Sequence, residues 1–225
     1  DTVDLCDGCG MGSELTSDFG QQLTCRVCPS GWYQPLAPVS RDIECQACPE
    51  GRYIVDDQVD VFEHNTLSDC KKCSKGREFV GPSHECSICP SGKYQDREDA
   101  VGIIVCKDCP VARYLLDDKS DAGLHDSLGR CKHCERGHEF QNASTPCKIC
   151  AAGRYNDQDA SDTENCTLCG RGKFNGDRGE VLSKHNDAGD CFECPPGQNA
   201  EVGAMFCVTC PPGKVSSVEE VCEDC

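Results

Sequence analysis

Apolar residues along this chain come in short bursts, and none of them holds a helical period. No stretch keeps an apolar position on a 3.6-residue spacing for more than two turns, so helices are not expected. Two runs, Gly51-Arg52-Tyr53-Ile54-Val55 and Gly102-Ile103-Ile104-Val105, have the length and β-branched content of strands in short hairpins. The remainder reads as turn and loop. Each burst opens on a fixed signal. Three residues after the second Cys of a Cys-x-x-Cys pair stands Gly12, Gly31, Gly51, Gly76, Gly92, Gly137, Gly153, Gly172, Gly197 or Gly213, and only Ala112 breaks the series. A Gly held at one register points to a backbone with positive φ or a close chain approach. Two residues further on comes an aromatic ring, at Tyr33, Tyr53, Tyr94, Tyr114, Tyr155 and Phe174. Each ring is expected to pack over a neighbouring cysteine pair as a miniature core.

The cysteines carry the longer pattern. All 24 fall in Cys-x-x-Cys pairs, and from Cys25 the steps between pairs run 20, 25, 16, then 20, 25, 16, then 19, 25, 16. Three pairs, about 61 residues, make one period, the mark of a linear array in which units contact mainly their neighbours. Whole copies occupy 25–85, 86–146 and 147–206, with partial copies at 1–24 and 207–225. The expected fold is a small disulfide-rich one, mostly irregular with short β-hairpins, strung into an elongated tandem-repeat rod.

Composition agrees. Among 225 residues there are one Trp, five Tyr and seven Phe, too few for one core of ordinary size. Disulfides offset the missing burial by restricting the unfolded chain, by about 3 kcal/mol for a loop of roughly 15 residues. Such bonds persist in oxidising compartments, so the chain is expected outside the cell or on its surface. Zinc is the competing use of paired cysteines. A four-Cys zinc site consumes two pairs whereas the repeat holds three, and a crossed scheme joining pairs two by two meets the same parity objection. A ladder from the second Cys of one pair to the first of the next tiles any number of pairs. It would join Cys9 to Cys25, Cys28 to Cys45, Cys48 to Cys70, Cys73 to Cys86, Cys89 to Cys106 and Cys109 to Cys131. It would continue through Cys134 and Cys147, Cys150 and Cys166, Cys169 and Cys191, Cys194 and Cys207, to Cys210 and Cys222, leaving Cys6 and Cys225 over. Spacing alone leaves the three schemes open.

Net charge is −17, with 39 acidic against 22 basic residues, which argues against nucleic acid as a partner. No apolar run approaches the roughly 20 residues of a membrane span, and no signal-peptide pattern opens the chain. The chain starts just before one Cys pair and stops on the last Cys of another, so it reads as a mature product or a piece of a longer protein. Two sequons, Asn142-Ala143-Ser144 and Asn165-Cys166-Thr167, mark glycosylation positions, and Asn142 is the freer of the two.

One constellation has candidate chemistry. His64, His125 and His185 each stand six residues before the next Cys, and Asp56, Asp117 and Asp177 stand fourteen before it. A loop-shaping clip is one reading: each ring buried in its own loop and bonded by Asp, Asn or backbone carbonyls. The other is a Ca²⁺ site built from Asp56, Asp57, Asp60, Asp117, Asp118 and Asp121. No cofactor is required on the first reading. No Ser/His/Asp or Cys/His catalytic arrangement stands out, so an enzyme is not expected.

The repeated Cys-x-x-Cys-Pro-x-Gly-x-Tyr run, seen at Cys25 to Tyr33 and Cys86 to Tyr94, resembles the ephrin-receptor-like cysteine-rich repeats called GCC2/GCC3. These are similar in style to the repeats of tumour-necrosis-factor receptors. The long loop from Tyr114-Leu115-Leu116-Asp117-Asp118 to Leu124-His125-Asp126-Ser127 resembles versions in large surface and secreted proteins of unicellular algae. The resemblance implies a stalk or filament of small disulfide-bonded hairpins, EGF-like in style. It implies an extracellular structural segment whose partners are other copies of itself or other extracellular proteins, glycans included. A receptor-type ectodomain binding a protein ligand is the alternative, and a zinc-binding protein a third. Departures are Ala112 for Gly, and Glu78-Phe79 and Glu139-Phe140, where the aromatic moves one place.

Overall fold

A computed structural model describes residues 8–18, 22–36, 44–98, 102–117, 119–159, 165–216 and 222–224. The chain divides into two compact units, one of Asp1–Pro90, Tyr94–Lys107 and Lys119–Leu128, the other of Ser91–Lys93, Asp108–Asp118 and Gly129–Cys225. The described strands pair into eleven two-stranded sheets. The longest hairpin joins Ser13–Asp18 to Gln22–Val27, antiparallel, six residues a side. Most others are two residues long, as in Arg52–Tyr53 against Lys71–Lys72 or Lys173–Phe174 against Phe192–Glu193. No α-helix occurs among the described residues. Single 3₁₀ turns lie at Val61–Glu63, Ala122–Leu124, Leu128–Arg130, Leu182–Lys184 and Ala188–Asp190.

The strands are short for a definite reason. In most of the two-residue hairpins the residue after the first strand spends backbone groups on other hairpins. The Gln34 N–H donates to the His64 carbonyl at 2.8 Å, while the Gln34 carbonyl accepts from the Gly12 N–H at 2.9 Å. In the first unit Gln95 repeats this, donating to His125 and accepting from Gly76, both at 2.8 Å. In the second unit Asn156 does the same between His185 and Gly137. A ladder cannot continue through a residue whose donor and acceptor are already committed. One residue thus ties three successive segments together.

The glycine register is a backbone requirement. All eleven positions have positive φ, from 65° at Ala112 to 85° at Gly51 and Gly213. At Gly31 there is a steric reason besides, since a Cβ there would lie 2.7 Å from the backbone carbon of Pro82.

Eleven disulfides run through the described residues, from Cys9–Cys25 to Cys210–Cys222, each joining the second Cys of one pair to the first of the next. Cys6 and Cys225 lie outside the described residues. The bridges form the core. In the first unit Tyr33 and buried Ile54 pack on Cys48 and Cys70, while Tyr53, Phe79 and Ile104 pack on Cys73 and Cys86. Phe79, the displaced aromatic, still reaches a bridge.

One expected strand is absent and one is shortened. Residues 102–105 carry no strand. Ile103 and Val105 are exposed and Ile104 is buried, the alternation of a strand, but the Ile104 carbonyl accepts a bond from the Phe79 N–H at 2.9 Å outside any ladder. In the other run only Arg52–Tyr53 pair, because the Ile54 N–H turns to the Pro82 carbonyl at 2.9 Å.

Candidate functional site

Three loops of equal span, closed by Cys48–Cys70, Cys109–Cys131 and Cys169–Cys191 with a sequence separation of 22 each, hold the histidines. His64, His125 and His185 are all 0% exposed. Each is the C-terminal cap of a 3₁₀ turn, its N–H bonded to the carbonyl three residues back, which fixes where the ring points. His64 Nδ1 meets the Trp32 carbonyl at 2.7 Å, and Nε2 is paired with the Asp56 carboxylate. His185 repeats the arrangement, Nδ1 to the Arg154 carbonyl at 2.8 Å and Nε2 to Asp177 Oδ1 at 2.9 Å. In both rings one nitrogen thus faces a backbone carbonyl and the other a carboxylate. The clip is therefore wider than the sequence reading had it. One prong stays in its own loop, and the other leaves it for the strand of an earlier hairpin.

The aspartates work one by one. Asp56 is bonded to His64 and to the Ser30 hydroxyl, which donates at 3.1 Å. Asp117 is half-buried, and its carbonyl accepts from the Ser91 hydroxyl. Asp60 and Asp121 cap 3₁₀ turns, accepting from the N–H groups of Phe62 at 2.9 Å and Gly123 at 2.8 Å. Asp57 is exposed, and Asp118 lies outside the described residues. Among the described residues no three or more His, Cys, Asp or Glu side chains are grouped so as to hold a metal ion.

In the third loop Val181 stands where Asp60 and Asp121 stood, and no side chain of its own caps the turn. Asp177 covers for it. Its Oδ1 accepts from the N–H groups of Gly179, Glu180 and Val181 at 3.1, 2.9 and 3.1 Å as well as from His185. The Val181 N–H first, and then His185 and the Glu180 N–H, hold the carboxyl down to about 2, against burial, which pushes it up.

Sequence reasoning missed the buried amides. Gln34, Gln95 and Asn156 are 0%, 1% and 8% exposed. Their side-chain N–H groups donate to carbonyls of an earlier hairpin, as Gln95 does to Arg77 and Asn156 to His138, both at 3.0 Å. The signal was present, for the three stand 61 residues apart. Of the sequon residues, Asn142 and Asn165 are both exposed. Asn142 Oδ1 accepts from the Ser144 N–H and hydroxyl at 2.9 Å each.

Comparison with known proteins gives the surroundings of this architecture. A family model described as tyrosine-protein kinase ephrin type A/B receptor-like matches residues 16–58. The chain is 29% identical over 155 residues, 66% of its length, to the signal peptide, CUB and EGF-like domain-containing protein 2 of Mus musculus. It is 25% identical over 155 residues to the Homo sapiens protein of the same name. It spans 14% of the length of either relative. Over part of its length the chain is thus similar to cysteine-rich, receptor-like repeats and to proteins named for their EGF-like domains. Among the described residues no helix is long and apolar enough to cross a membrane.

Proposed function

We propose that this chain is a non-catalytic extracellular spacer, a rod or stalk segment in a larger secreted or surface protein. The observation that carries this reading is the backbone bonding of Gln34, Gln95, Leu115, Asn156 and Asn175 to both an earlier and a later segment, superimposed on a disulfide ladder through the described residues. That linkage resists bending between neighbours without a large core. The reading also takes in the finer resemblance to GCC2/GCC3 repeats of algal surface proteins, and it favours Asn142 as a glycan attachment point. Small-angle scattering tests it. A compact chain of this length would have a radius of gyration of about 17 Å. A spacer should exceed that clearly, and a value near it would overturn the proposal.

A protein-binding ectodomain is the second reading, favoured by one feature. Val59 and Phe62 are 72% and 74% exposed on the loop closed by Cys48–Cys70, an apolar tip of the kind that marks contact sites. Binding to an array of extracellular proteins that Phe62→Ser abolishes would support it. Binding indifferent to that change would not.

A further inference from the structure

We propose that the cleft beside the loop closed by Cys169–Cys191 is a binding site for a neutral saccharide. Its counterpart in the loop closed by Cys48–Cys70 is a cleft of about 260 Å³ lined in part by Ile54, Val55 and Lys71. At the same distances from the bridging cysteines the third loop has Asn175, Gly176 and Phe192, and its cleft measures about 640 Å³. That is inside the range of about 300 to 1,000 Å³ common for small-molecule sites. Gly176 replaces Val55 of the first loop and Leu116 of the second, so the side chain that would fill the opening is gone.

The new lining has a mixed chemistry. Phe174 and Phe192 form a tilted pair, ring centroids 6.2 Å apart at 52°, and Phe192 is 56% exposed. An exposed aromatic face offers a surface for the C–H side of a sugar ring. Around it stand donors, Arg178 and Lys184, and an acceptor, the Glu180 carboxylate. Arg178 replaces Asp57 and Asp118 of the other loops, and Lys184 replaces Glu63. Asp177 is already committed to His185 and three backbone N–H groups, with the exposed Lys184 ammonium 3.9 Å from its Oδ2, and Asn175 is held by the Lys184 carbonyl at 2.7 Å, so these two form the floor. Hydroxyl groups donate and accept at once, which suits a rim carrying both signs. A strongly anionic ligand would meet Glu180 and a chain of net charge −17.

This inference stands apart from the spacer reading, and its test does not depend on it. The oxidised chain is titrated, by NMR, with neutral trisaccharides of glucose, mannose and N-acetylglucosamine, with a sulfated trisaccharide as comparison. At least one neutral probe should shift the Phe174 and Phe192 ring signals at concentrations up to about 10 mM. Two variants restore residues of the other loops and keep the fold's own vocabulary: Phe192→Lys and Gly176→Val. Both should weaken binding about tenfold or more, with His185 ring signals unchanged as the control for folding. No shift with any neutral probe overturns the proposal. So does binding that Phe192→Lys leaves intact, or binding confined to the sulfated probe.

Discussion

His64, His125 and His185 are among the largest side chains wholly removed from water, and they are polar. A buried acceptor left without its donor costs about 1 to 3 kcal/mol. His64→Ala removes the donor from two, the Trp32 carbonyl and Oδ2 of Asp56, whose Oδ1 keeps the Ser30 hydroxyl. The expected loss is about 2 to 4 kcal/mol of local stability. It should appear as faster amide exchange at Gln34, whose N–H is bonded to the His64 carbonyl. Unchanged exchange there would contradict the clip. Acid should act on the third loop through Asp177, whose carboxyl is held at about 2. An unfolded Asp titrates near about 3.9, so its contribution is fully present above that value and lost as pH falls through about 2. Amide exchange at Glu180 and Val181 should therefore accelerate across that window in the native chain. In Asp177→Asn it should already be fast at neutral pH and flat below. The histidine register was legible because His is scarce and its spacing to Cys is fixed. The reach of Nδ1 outside the loop was not, because the carbonyls it seeks carry no sequence signature. The buried amides went unread for another reason: Gln and Asn are ordinarily surface residues.

Hairpins here are built from a turn, a bridge and a two-residue ladder, and the turn is the demanding part. Gly31 and Gly197 separate its two requirements. Both have positive φ, 84° and 80°, but a Cβ at Gly197 would meet nothing within 4 Å, whereas at Gly31 it would strike the Pro82 backbone. Gly197→Ala should cost only the left-handed penalty of about 1 to 2 kcal/mol. Gly31→Ala should cost distinctly more, because the clash is with main chain. Thermal midpoints and oxidative refolding yields of the two variants give the comparison, and equal losses would refute the close-approach account. Ala112 shows the turn tolerating a Cβ, at φ 65° and fully buried. The glycine series made these turns legible from sequence. Strand extent was not legible, since at Ile54 and Ile104 the apolar alternation is that of a strand while the backbone bonds go elsewhere.

Across the whole molecule the bridges are local: every loop they close spans between 12 and 22 residues. Damage should be local too. Removing Cys134–Cys147 by paired Ser substitution should cost about 3 kcal/mol and raise amide exchange in the hairpins it borders. Protection around Cys28–Cys45 should persist, and loss of protection along the entire chain would argue for one cooperative core instead. Full reduction, by contrast, should abolish ordered structure throughout, because the buried apolar groups are chiefly the cystines and the rings upon them. Spacing made the recurring bridges legible, through a parity that only some pairing schemes satisfy. Spacing was silent on how one hairpin is bonded to the next, which rests on main-chain groups that every residue possesses.

Tension gives the ladder another meaning. Pulled between Cys9 and Cys222, the load need not travel through the loops. It can pass across each bridge, 5.5–5.9 Å between Cα atoms, and along the two-residue link to the next. Three residue steps extend at most about 10 Å, so this covalent shortcut becomes taut at about 170 Å. With the bridges opened the same stretch could be drawn out to about 700 Å. The cystines therefore act as a mechanical stop, keeping some three-quarters of the contour out of reach of force, and a reducing agent would replace a short, taut covalent path by a long, slack one.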